Sequence, residues 1–204
     1  MSIDSEHGSR PAAAAAIDGT TVARGAGTGA LAFLVSYVLT ALLWAVTELP
    51  RPESLGEAFE QAIVDAVRDS VPTWQSSGMV FFNGHFVDVR YEGQFVRGSV
   101  DLVSLAGGGL VQLVYVVVPL ALVAAGFVAA RRSGHTGDLS DAIVSGSLVA
   151  PGYLPQVVLG AVLFAHATDG SSLSIPLVEA VVVAGVVYPL ICGGVGGLVA
   201  HLVE

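Results

Sequence analysis

One run of 29 residues, 102–130, carries no charged side chain, and this limits the chain more than any other feature. Three further apolar stretches cover about 29–47, 142–167 and 175–202. A helix of roughly 20 apolar residues crosses the hydrocarbon of a bilayer. The expected fold class is therefore an all-α membrane protein. It has four transmembrane helices and a small extracellular insertion between helices one and two. Periodicity adds little inside the helices, because they are apolar all round.

Composition supports this reading. Charged residues make up 12% of the chain and mean hydropathy is +0.74. A soluble domain carries roughly a quarter charged residues. A soluble globular enzyme and a disordered chain are both excluded. The lone Cys192 excludes a disulfide scaffold and a zinc ribbon. The eight basic residues are all arginine, against 17 acids, for a net charge of −9. Acid excess without lysine suits a protein bathed in high salt, where charge repulsion is screened within a few ångströms. A GC-rich genome would also replace lysine by arginine, but would not add the acidity. No basic surface for nucleic acid is present.

Residues 1–26 read as a flexible cytoplasmic tail, polar apart from the Ala12–Ala16 run. The four-helix domain then covers 27–204. The first apolar run lacks a small-residue cleavage pattern, so it is expected to remain as an anchor.

The insertion, 48–101, holds nine acids and four arginines, net −5. Ser54-Leu55-Gly56-Glu57 reads as a capping box. Leu55, Phe59, Ile63 and Val67 recur every four residues, which predicts an amphipathic helix on the membrane surface or on top of the bundle. Across 79–96 the aromatic and β-branched residues flank Asn83-Gly84. That dipeptide predicts a hairpin turn there, with a membrane-dipping segment as the alternative. Asp138-Leu139-Ser140-Asp141 is expected to cap helix three, and Ser174 with Glu179 to open helix four. Arg24, Arg131 and Arg132 flank the helices on one side. The positive-inside rule puts both termini in the cytoplasm of a multi-pass cell-membrane protein and the acidic insertion outside.

Pro119-Leu120 and Pro189-Leu190 lie 70 residues apart and suggest a duplicated helical hairpin. The plainer account is that a reduced Val/Ala/Gly alphabet aligns with itself easily. Gly107-Gly108-Gly109 and the Gly193–Gly197 cluster read as close helix packing, within the monomer or across a homo-oligomer.

No charge lies near a span centre, which disfavours a carboxylate-based ion path. Four of the five tyrosines do lie close to span centres: Tyr37, Tyr115, Tyr153 and Tyr188. A phenol at mid-bilayer needs a partner. Prolines 119, 151, 155 and 189 free carbonyls nearby, and Gln112 and Gln156 are close. These six residues form the candidate mid-bilayer polar site. The functional reading is a substrate site beside broken helices; the plainer one is interhelical bonding at roughly 0.6 kcal/mol per bond. His85, Asp88 and Asn83 are too few for a metal site, and offset three on a strand separates the first two. They read as surface residues of the hairpin. No catalytic, cofactor or metal motif is present, so the chain is expected to be non-enzymatic and free of cofactors.

Phe82-Asn83-Gly84-His85-Phe86-Val87-Asp88, Gly152-Tyr153-Leu154-Pro155 and Val187-Tyr188-Pro189-Leu190 resemble a family of uncharacterised haloarchaeal four-helix membrane proteins, loosely labelled transporter-like. The resemblance implies a halophilic archaeon and a plasma-membrane location, and carries no catalytic residue. The expected role is a structural or accessory membrane subunit. Its partners are the lipid bilayer and a membrane protein, or a second copy, meeting residues 48–101. The alternative is a small transporter or channel protomer.

Overall fold

The computed structural model describes residues 19–49, 51–94, 97–134, 136–168 and 170–203. Among them four helical stretches are long and apolar enough to cross a membrane: Gly19–Val46, Gly109–Ser133, Leu139–Leu163 and Leu177–Leu202. They are compatible with a multi-pass membrane protein. The tail expected at 1–26 lies outside the described residues over 1–18, and residues 19–26 are already helix.

The first span is one helix, α1 (Gly19–Val46). Three hydroxyls on it or just past its end turn back onto carbonyls one turn earlier: Thr28 to Gly25 and Ser36 to Ala32 at 2.7 Å, and Thr47 to Leu43 at 2.6 Å. That satisfies them without water. The second span begins as a 3₁₀ turn (Gly109–Leu113) and continues as α5 (Val114–Ser133). Gly107, Gly108 and Gly109 all have positive φ, 71°, 116° and 80°. Only glycine accepts three such residues in succession, so the cluster is a turn ahead of the helix.

Proline shapes the other two spans. The third is broken at 148–149 into α6 (Leu139–Ser147) and α7 (Ala150–Leu163), with Pro151 in the first turn of α7. Pro151 lacks the N–H that would continue α6. The fourth opens with α8 (Leu177–Glu179), widens into a π-helix (Ala180–Val187) and ends as α9 (Tyr188–Leu202). Pro189 cannot serve the Gly185 carbonyl, and the wider turn accommodates that gap. Ser174 is not its cap, because it belongs to a strand.

The insertion departs most from expectation. Helix α2 (Leu55–Ser70) forms with the predicted cap, Ser54 Oγ accepting from Glu57 N, but it buries Val64 and Val67 and leaves Leu55 and Phe59 of the predicted stripe exposed. It rests on α3 (Thr73–Asn83) and the short α4 (Leu102–Leu105), so it lies on top of the bundle. The hairpin predicted with its turn at Asn83-Gly84 is incorrect. Residues 73–83 are helical, and 76–83 are all buried. Asn83 serves as a bridge: its amide donates to Val87 O, and its Oδ1 accepts from Leu102 N, both at 3.0 Å. A hairpin does follow, between β1 (Val89–Gly93) and β2 (Arg97–Val100).

A second hairpin, β3 (His166–Thr168) and β4 (Ser171–Ser174), links spans three and four. All pairings are antiparallel, in the order β2-β1-β4-β3. Both hairpins extend away from the spans, because β1 and β3 leave the bundle and β2 and β4 return to it.

Candidate functional site

Helix α3 enters the helix bundle beside α1. Trp44 Nε1 donates to Ser76 Oγ at 3.1 Å near its start. Further in, Phe81 meets Phe33 edge-on, ring centres 4.9 Å apart. Gly78 permits this, since a Cβ there would enter the Phe164 ring. Helix α3 is thus packed among the span helices.

At the inner end of α3 sits His85, fully buried. Its Nδ1 faces the Phe81 carbonyl at 2.9 Å, and its Nε2 faces the Tyr153 hydroxyl at 2.8 Å. A carbonyl only accepts, so Nδ1 carries the proton. Nε2 of the neutral ring then accepts from Tyr153. Tyr188 closes the group, its ring centre 5.1 Å from that of His85. The sequence places His85 on the surface of the hairpin; it is instead buried, because the hairpin begins only at Val89. The next residue, Phe86, is a non-glycine with φ of 58°. This uncommon conformation turns its ring outward, stacked on Tyr115 at 5.2 Å.

The six predicted residues do not form one cluster. Tyr153 and Tyr188 converge on His85. Tyr37 donates to Trp74 O at 2.9 Å and stacks on Phe164. Tyr115 donates to Asp101, which also caps α4. Gln156 turns back to its own helix, donating to Gly152 O at 3.2 Å. Gln112 is exposed beside Gly108. His85 was the residue missed. The demand of a mid-span phenol for a partner was the signal that could have found it.

At the opposite end of the spans, Asp138 caps α6. Bonds from the Ser140 hydroxyl and the Ser140 and Asp141 backbone hold its carboxyl below the usual range. The cap's contribution is therefore fully present above the ordinary carboxylate range and is lost as pH falls through the lowered value. Arg24 donates to Arg132 O across the same end.

What the His85 group can do follows from its atoms. It can hold one proton between imidazole and phenol, and it can lock α3 to the third span. Among the described residues no group of three or more His, Cys, Asp or Glu side chains could hold a metal ion. No curated protein and no solved structure matches the chain. A family described as "Family of unknown function (DUF7978)" matches residues 5–204. With nearly its whole length matched, the chain belongs to the DUF7978 family.

Proposed function

We propose that this chain is a non-enzymatic structural or accessory subunit of the cell membrane, with residues 48–101 outside and both termini in the cytoplasm. The observation that carries the reading is the packing of α5, α6 and α9. A Cβ on Gly126 or Gly146 would collide with Gly193, and one on Gly196 or Gly197 with the backbone of α5 or α6. Backbones in contact leave little for water to follow between these helices. Arg24, Arg131 and Arg132 at that end support a cytoplasmic assignment. The acids of α2 (Glu57, Glu60, Asp65 and Asp69) offer a charged outer face to a membrane partner or a second copy. The arginine-only, acidic composition supports a halophilic archaeal source.

Half-buried Cys192 tests this. In intact vesicles of either orientation, an impermeant maleimide should leave Cys192 unmodified until the protein is denatured. Rapid modification of the folded protein would replace this reading with a small transporter.

That second reading has its own support. Helix α3, the broken third span and the π-helix converge on His85, Tyr153 and Tyr188, as irregular helices do around carrier sites. On that reading Tyr153→Phe and Gln156→Leu abolish transport. On the first they change stability alone.

A further inference from the structure

The outer part of the molecule contains a groove of about 720 Å³ between α2 and the four-stranded sheet. Small-molecule sites usually measure roughly 300–1,000 Å³. The helix wall is apolar: Phe59, Ile63, Ala66, Val67 and Val71 line it. The sheet wall changes character along the strands, and the register shows how. Nearest the spans, Val89 pairs with Val100. In the next row on the same face Tyr91 lies between Gly98 and Leu173, and Leu173 pairs with His166. In the outermost paired row of the described residues stand Gly93, Ser171 and Thr168. The wall therefore runs from aliphatic beside the spans to small and polar at the outer end. The Tyr91 hydroxyl lies over Gly93, which adds a polar group to that outer row.

His166 is fixed in one tautomer. Gln75 Nε2 donates to Leu163 O at 3.1 Å and to Ala165 O at 2.9 Å, so its Oε1 accepts from His166 Nδ1 at 3.0 Å. His166 Nε2 is then a bare acceptor with no partner among the described residues. Charge limits the ligand further. The 48–101 segment carries net −5, which opposes an anionic head group.

We infer that this groove binds a single-chain amphiphile, with the alkyl chain against α2 and the inner rows and a cationic or hydrogen-bond-donating head at His166, Tyr91, Ser171 and Thr168. This site is separate from the helix packing on which the proposed function rests, so either can fail without the other.

Gly98 makes the inference testable, because a Cβ there meets nothing within 4 Å. Gly98→Leu fills the floor from the sheet, and Ala66→Trp fills it from the helix. The full chain would be placed in phosphatidylcholine nanodiscs with a dodecylamine bearing a terminal diazirine. After photolysis, cross-linked residues are mapped by mass spectrometry. Cross-links should fall on α2 and the sheet, and unlabelled dodecylamine should compete with about tenfold higher potency than dodecanoate. Labelling should drop about tenfold in both variants, with melting temperature confirming their fold. Labelling confined to the span helices overturns the inference, as does unchanged groove labelling in a folded variant. Equal competition by amine and carboxylate also overturns it, and that measurement needs no variant.

Discussion

His85 and Tyr153 show how one buried bond links distant parts of the chain. Tyr153→Phe keeps the ring packed against Phe33 and removes only the proton that His85 Nε2 accepts. A buried acceptor left unserved costs about 1–3 kcal/mol. Unfolding in mixed micelles should show a loss of that size, and an unchanged midpoint would mean the bond contributes nothing. Arg68 makes a comparable link. Its guanidinium lies 4.3 Å from the Trp44 ring centre and donates to Trp44 O and Thr47 O, carbonyls at the open end of α1. Arg68→Ala should cost about 2 kcal/mol, and Arg68→Lys most of that, since an ammonium cannot reproduce the flat fork over the indole. Tyr153 could be singled out from sequence because a phenol in mid-span must be satisfied. Its partner could not, because His85 lies 68 positions away and was assigned to a strand.

Helix α3 is where local sequence signals failed. Asn83-Gly84 is a strong hairpin signal, and Val80, Phe81 and Phe82 favour strands. Burial on every side overrides both: inside the bundle a helix satisfies its own backbone, whereas an isolated strand cannot. The second hairpin was also missed, although Asp169-Gly170 carries the same signal. The caps of α2 and α6 were legible because each depends on residues three or four apart. A Cβ at position 78 would enter the Phe164 ring, so Gly78→Ala should loosen α3. Hydrogen exchange should rise across 73–88 while the glycine-packed half keeps its protection. Uniform exchange across both regions would show that α3 is no separate unit.

Across the whole molecule, the two ends of the bundle are built differently. At the Arg24 end, glycine lets α5, α6 and α9 touch by their backbones. At the other end, α3 and its aromatic side chains fill the space between the spans. Gly193→Ala should cost about 1–3 kcal/mol by overpacking, whereas Gly27→Ala, with open space around it, should be neutral or stabilising. Equal midpoints for the two variants would refute close packing as the basis of stability. The span number was legible because hydropathy needs no partner. The division into two ends was not, since it depends on which glycines face each other.

The β1–β4 ladder runs between the insertion after span one and the loop after span three. Backbone hydrogen bonds thus join the two helical hairpins where α3 separates the spans, and glycine contacts join them at the other end. The connection through 134–138 is then one tie among several, with the His85–Tyr153 and Gln75 bonds among the others. Two fragments severed in that loop should recognise each other when made separately, the strand edge setting their register and the small-residue faces their depth.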